Sequence, residues 1–459
     1  MIKKLIGTKQ FYKKVLVLML PILIQNGITN FVNMLDNLMV GQVGQNEMIG
    51  VSVANQLIFV YNLCIFGAVS GAGIFGAQFF GNNDHKGLRD SFRFKIIFCT
   101  LLTVGVIGLF YFCGPMLINM YLKGEGSVEA ATASLEAGFS YLKIMLIGLI
   151  PAALAQCWSS TLRETGQTLP PMVAGVIAVF VNLTLNYILI FGHFGAPVMG
   201  VNGAAIATVI SRFVELFIVA VWTSADKKKN IFIVGAFRSM KVPMALVKKI
   251  AVKGIPLMVN ETLWAAGVAF VNRCYSTEGL EVVAANNIVQ TFFNVFSVAF
   301  MAVGVAIGII LGQLLGAGKE AEAKDTSIRL IAFSVFVSII VAITFALSAF
   351  FIPGFYNVDE SVKQLATKMM IICALAIPFD AVANACYFTL RSGGEAMITI
   401  IFDCGFMWVV SAASAFILTT YTPLSILPIF AICQGLNFIK DIIGITFVKK
   451  GKWIKRIVE

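Results

Sequence analysis

Apolar residues run along this chain in long uninterrupted blocks rather than in the scattered pattern of a soluble core. The blocks are bounded by charge, glycine or proline, and they predict membrane-spanning helices near 15–40, 50–80, 93–121, 138–161, 170–192, 203–223, 249–274, 285–315, 328–353, 366–390, 397–419 and 425–447. A spanning helix needs roughly 20 apolar residues to cross about 30 Å of hydrocarbon. A chain of 459 residues that is 59% apolar therefore holds about twelve such spans and leaves little for a folded domain outside the membrane. The expected fold is an all-α integral membrane protein, and a soluble enzyme is excluded. The first block follows a Lys-rich start (Lys3, Lys4, Lys9, Lys13, Lys14) but is too long for a signal peptide and has no small-residue cleavage site, so it is expected to remain as the first span.

Charge then orients the spans. Only 12% of residues are charged, and the net charge of +11 comes from short basic clusters between apolar blocks, which argues for topology and against a nucleic-acid face. With the N-terminus inside, the inward loops carry Lys86, Arg89, Arg93, Lys95, Arg163, Lys227 to Lys229 and Arg391, and the tail adds Lys440, Lys449, Lys450, Lys452, Lys455 and Arg456. The outward loops hold few bases (Lys123, Lys363, Lys368) and several acids (Glu47, Glu125, Glu278, Glu281, Asp359, Glu360). This bias predicts both termini in the cytoplasm and an even number of spans, in the cell membrane.

An internal repeat sets the architecture. Pro21 and Pro256, Gln78 and Gln313, Gly81 and Gly316, and Asp90 and Asp325 are each 235 positions apart. Thr161-Leu162-Arg163 and Thr389-Leu390-Arg391, like Gly166 and Gly394, are 228 apart, each expected in a short cytoplasmic turn. Six spans per repeat is an even number, so the two halves run parallel about an axis along the membrane normal. The expected division is a six-helix lobe at 1–223, a cytoplasmic linker at 224–247 and a second lobe at 248–459, rocking about a central cavity.

Acids inside spans are the sharpest chemical signal, since each disfavours insertion by about 2.5–3.5 kcal/mol at a helix centre. Asp36, Glu261, Asp380 and Asp403 stand out. The first three have no Lys or Arg within a helical turn, so no local pairing offsets the penalty; Asp403, near a span end, reads as structural or ion-paired. Such a carboxylate can be neutralised in turn by H⁺, Na⁺ or an organic cation, which is the chemical basis of an antiporter. Glu215 follows Arg212 at i+3 and is expected to pair with it. Asn182 and Asn186 share one helix face, and with Thr208 they could complete an oxygen shell for a small cation. Pro21, Pro256 and Pro378 precede the acids and can free carbonyls within the helices.

Other features argue by exclusion. Nine cysteines lie almost wholly in apolar runs with no CxxC spacing and read as packing residues. His85 and His193 fall on opposite sides of the membrane, and Gly71, Gly73 and Gly76 mimic a dinucleotide fingerprint inside an apolar span, where small residues serve close helix packing. No nucleotide or metal cofactor is expected, and no constellation for a membrane enzyme is visible. The 39 phenylalanines and 18 methionines read mainly as lipid-facing or core filler, and any that line the cavity would suit flat, greasy cations.

At these residues the chain resembles the multidrug and toxic compound extrusion (MATE) transporters. The run Asp36-Asn-Leu-Met-Val-Gly-Gln-Val-Gly44 is similar to the family's first-helix signature. The turns Leu162-Arg163-Glu-Thr-Gly166 and Leu390-Arg391-Ser-Gly-Gly394 are similar to its paired cytoplasmic motifs, and Gly203-Ala-Ala-Ile-Ala-Thr208 is a further match. The resemblance implies a twelve-helix, two-lobe antiporter exporting cationic amphiphilic molecules for Na⁺ or H⁺, expected as a monomer. It implies a cation or proton site at Asp36, Asn182, Asn186 and Thr208 in the first lobe, and an acidic site at Glu261 and Asp380, where Na⁺ could bind, in the second. The stretch Asn182-Leu-Thr-Leu-Asn186-Tyr leans toward the NorM-like branch. The rival expectation is a flippase or exporter of one amphiphile, such as a lipid-linked sugar or natural product, on a related fold.

Overall fold

The computed structural model describes residues 6–122, 128–356 and 358–458, so Lys123 and Glu125 lie outside the described residues. Among those described there are helices and turns and no strand. Among the described residues, twelve helices are long and apolar enough to cross a membrane. They are α1 (Lys9–Gly41), α2 (Gln45–Gly81), α3 (His85–Leu122), α4 (Val128–Glu164), α5 (Leu169–Phe191) and α6 (Gly200–Ala225), then α7 (Met244–Ser276), α8 (Leu280–Gly316), α9 (Glu320–Ser348) and α10 (Glu360–Ser392). The last two are α11 (Ala396–Tyr421) and α12 (Ile426–Lys450). Each coincides with one expected span. Large apolar side chains such as Phe112, Phe217 and Val409 stay exposed on the helix flanks, as contact with lipid requires.

Two helices are irregular near polar groups. The backbone of α11 is π-helical over Ile401–Gly405 and Met407–Ala412, a form concentrated at functional sites. In α12 the helix is interrupted at Leu436, just before Asn437. Pro21, Pro256 and Pro378 lie inside α1, α7 and α10, where each removes one backbone donor.

Packing divides the chain into two compact units. Of the described residues, one comprises those of 6–23, 77–84 and 251–458, and the other those of 24–76 and 85–250. Both follow the repeat only in part, because the start of α1 and the α2–α3 turn pack with the second half of the sequence. In the first unit, Val15, Leu18 and Ile22 of α1 are buried in one core with Ile307 and Leu311 of α8 and Phe402 of α11.

The repeat extends to the backbone. Asn83 and Gly318, 235 apart, both take left-handed φ (58° and 73°), as do Gly166 and Gly394 (84° and 72°), so each turn needs a residue that tolerates that conformation. Gly81 and Gly316 face one another reciprocally: a methyl group on Gly81 would strike the carbonyl of Gln313, and one on Gly316 the carbonyl of Gln78. The turns begin later than the sequence suggested, however. Thr161 to Arg163 belong to α4 and Thr389 to Arg391 to α10, which matters for the chemistry below.

Residues after α12 close the same unit. Trp453 is fully buried and donates its indole N–H to the Val448 carbonyl at 3.0 Å. The Gln78 amide donates to the carbonyls of Ser392 (3.1 Å) and Lys455 (3.2 Å), and its oxygen accepts from the Ile457 N–H (2.9 Å). Arg456 donates to Asn82 at 2.8 Å, and Lys455 pairs with Glu395 at 2.6 Å.

In the other unit the buried Lys95 of α3 meets Glu164 of α4 at 2.5 and 2.6 Å, with Thr161 and Ser160 at 3.0 and 3.3 Å. Gly73 and Gly76 of α2 leave the room this carboxylate occupies, since a Cβ at either would collide with it. The glycines that mimic a nucleotide motif thus admit an ion pair between helices.

Candidate cation-binding site

Within the second unit, three helices converge on Asp36. Asn186 of α5 donates from Nδ2 to Asp36 Oδ1 at 2.7 Å, and Asn182, one turn earlier on the same face, bonds Thr208 of α6 at 3.2 Å. With the Asn182 amide turned over, its NH₂ reaches both Asp36 oxygens at 2.9 and 3.2 Å and its oxygen accepts from Thr208. Both asparagines are buried. Asn186 Oδ1 is buried with no donor among the described residues, and no Lys or Arg hydrogen-bonds to Asp36 there. The four residues singled out from sequence are therefore one cluster: a carboxylate, two amides and a hydroxyl, with an amide oxygen left unsatisfied.

Thr208 also lines a cavity of about 380 Å³ enclosed by α2, α4 and α6. Its polar lining includes Asn62, Gln156, Arg212 and Glu215, against an apolar wall that includes Phe66 and Met145. Arg212 and Glu215 pair at 3.1 Å, as their i+3 spacing predicted.

The acids of the other unit are dispersed. Glu261 of α7 accepts from the Tyr387 hydroxyl at 2.6 Å and pairs with Arg391 at 3.4 Å, while Arg391 also donates to Tyr387 at 3.1 Å. Glu261 is therefore not an unpaired acid: the absence of a basic neighbour on its own helix says nothing about one arriving from the end of α10. Asp380 of α10 accepts from Asn437 of α12 at 2.8 Å. No hydrogen bond joins Glu261 to Asp380 among the described residues; Asp380 and Tyr387 are seven positions apart, about 10 Å along α10 at a rise of 1.5 Å per residue. Asp403 is ion-paired, as its position suggested, with Lys440 at 2.7 Å, and it accepts from Asn260 at 3.1 Å.

Sequence reasoning passed over three participants. Arg391 was assigned to a turn, and Lys440 was counted with the basic tail although it is mostly buried in α12. Asp441, buried next to it with Oδ1 lacking a donor among the described residues, is a further acid inside a span. Among the described residues no group of three or more His, Cys, Asp and Glu side chains could hold a metal ion. All nine cysteines are free and seven are buried, as packing residues should be.

A fold of twelve spanning helices with carboxylates held among amides inside the helix bundle defines a polytopic membrane transporter. The MatE family model matches residues 21–188 and again 256–417, once per repeat, and the chain belongs to that family. The probable multidrug resistance protein NorM of Thermotoga maritima is 27% identical over 455 residues, covering 97% of this chain and 94% of that protein. Among solved structures, an outward-facing multidrug resistance MATE family transporter of the MOP superfamily superimposes with a TM-score of 0.87 at 18% identity, over 98% of this chain and 97% of that one. A mutant of the Vibrio cholerae MATE transporter VcmN gives 0.86 at 15% identity, over 97% and 98%. The chain is a multi-pass membrane protein of this transporter family.

Proposed function

We propose that the protein exports organic cations, drugs among them, across the cell membrane in exchange for Na⁺ or H⁺ by alternating access, with both termini in the cytoplasm. The observation that carries the reading is Asp36: a carboxylate held by amides, without a basic hydrogen-bonding partner among the described residues, beside the unsatisfied oxygen of Asn186. Whichever cation occupies it neutralises the charge, so coupling ion and cargo compete for one group. The relatives named as multidrug resistance proteins support the choice of cargo. Asp380, whose hydrogen bond is to an amide, is the stronger second-half candidate for Na⁺; Glu261 takes part when Arg391 releases it. Acids exceed bases around these sites, which favours cationic cargo over the anionic head group of a flippase substrate. The protein acts as a monomer and needs no cofactor.

Exchange of one monovalent cation for another moves no net charge and runs on the chemical gradient alone. Two coupling ions per cargo would add the membrane potential, about 2.3 kcal/mol per charge per 100 mV. The test is efflux of a cationic dye from membrane vesicles with Na⁺ and pH gradients imposed separately. Asp36→Asn removes a charge-assisted contact of about 1.5–3 kcal/mol, so the apparent affinity for the coupling ion falls roughly 10- to 150-fold. Full activity in Asp36→Asn, Glu261→Gln and Asp380→Asn alike would overturn the reading.

A further inference from the structure

Residues 451–458, which follow α12, join turns from both repeats. Gln78, at the end of α2 in the first repeat, has no exposed surface; it donates to the carbonyls of Ser392 and Lys455 and accepts from the Ile457 N–H. Asn82 of the α2–α3 turn accepts from Arg456. On the second-repeat side the Trp453 carbonyl lies directly over Gly393, where a Cβ would collide with it, and Lys455 pairs with Glu395. One turn from Gln78, α2 and α8 approach so closely that neither Gly81 nor Gly316 has room for a Cβ.

The segment that follows α6 serves its own repeat instead. Asn230 accepts from Gln167 at 2.8 Å, and Arg93 donates to the carbonyls of Gly235 and Ala236 at 2.7 and 2.8 Å. Gln167 and Glu395 are 228 positions apart, so the two segments dock on equivalent turns. The reach to Gln78 and Asn82 is what the second segment adds.

We infer that residues 451–458 form a strap that holds the cytoplasmic ends of the two repeats together, with Gln78 as its release point. The inference rests on the alternating-access reading, with the strap inside the cell, and adds to it a part that keeps one side shut. Rocking of two repeats opens one face of the membrane as it closes the other, so the inner ends of α2 and α8 part when the site faces the cytoplasm. Trp453, in one core with Leu315 of α8 and Leu390 of α10, anchors the base of the strap to the second repeat. What gives way is the far end, where the Gln78 and Asn82 bonds join the strap to the first repeat. Once parted, these groups bond to water, so each contributes modestly; several together bias an equilibrium without blocking it.

The test measures both ends of α2 and α8 by pulsed electron–electron distance spectroscopy on the full chain in lipid vesicles. His85→Cys with Glu320→Cys carries the inner spin-label pair, and Gln45→Cys with Leu280→Cys the outer pair; all four positions are exposed, and the members of each pair are 235 apart. Cys64→Ser and Cys113→Ser remove the half-buried thiols, and the remaining cysteines are buried. Gln78→Met keeps side-chain length and removes the bonds to Ser392, Lys455 and Ile457. It raises the ratio of long to short inner distances on the order of tenfold, and the outer pair shortens in the same fraction of molecules. Arg456→Ala, on an exposed contact, moves both pairs the same way by roughly threefold and serves if Gln78→Met does not fold. Ratios unchanged within about twofold in the folded variant overturn the inference, as does an inner pair that lengthens while the outer pair stays, which is local fraying. Efflux of a cationic dye by wild type in the same vesicles keeps the two readings apart. Coupled distance shifts without efflux sink the export reading and leave the strap, whereas efflux with unmoved distances sinks the strap alone.

Discussion

Replacing Lys95 by methionine tests whether the second unit is held by its buried ion pair. Methionine preserves most of the side-chain volume, so the change isolates charge from cavity formation. Lys95 is 1% exposed, and its ammonium fills its donors on Glu164, Thr161 and Ser160. Removing it takes the ammonium away from the Glu164 carboxylate in a pocket bounded by Gly73 and Gly76, where Ser160 still donates to it. Breaking a buried pair from one side destabilises by about 3–5 kcal/mol. At roughly 2 °C per kcal/mol, the low end for chains of 150–250 residues, the unfolding midpoint drops by about 6–10 °C. A thiol-reactive fluorophore reads this directly, because seven buried free cysteines become accessible on unfolding. Replacing both partners, Lys95→Met with Glu164→Gln, removes the carboxylate charge as well and recovers at least half of the loss. A midpoint within about 1 °C of wild type for Lys95→Met, or no recovery in the double variant, would refute the argument.

Two further outcomes follow from the first unit. Gly81→Ala and Gly316→Ala each place a methyl against a carbonyl of the other repeat and lower stability by about 1–3 kcal/mol, equally for both. Because the two contacts lie at one crossing of α2 and α8, the double variant loses less than the sum, measured by the same thiol-dye melt. Trp453→Ala empties a fully buried site and destabilises by about 3–5 kcal/mol, seen as a lower melting midpoint and a loss of monodisperse protein on size exclusion.

Much of the fold was legible because lipid imposes a simple rule, apolar length, on every span. The repeat was equally plain, since Gln78 and Gln313, or Gly166 and Gly394, keep residue types that a turn or a close contact demands. Asn182 and Asn186 declare a shared face by their spacing, whereas their grouping with Asp36 and Thr208 came from the resemblance to the family. What escaped was contact between distant helices. Arg391 reaches Glu261 across 130 positions, and Lys440 reaches Asp403 across 37, and a helical period reports neighbours only within a turn or two. Glu164 was read as part of a turn motif because nothing local shows that Lys95 sits against it. Asp441 was missed for a different reason: its adjacency to Lys440 and the basic tail disguised a buried acid as part of a solvated terminus.

Residues 6–23 and 77–84 belong by sequence to the first repeat but by packing to the unit built from the second. The duplicated halves are thus not autonomous modules. If the chain were severed in the loop between Asp226 and Pro243, neither fragment would carry everything its own core requires, and the pieces should accumulate only when produced together. The same exchange ties the fates of the two repeats: a change in the α2–α3 turn is felt in the C-terminal unit, so the copies cannot drift apart there independently.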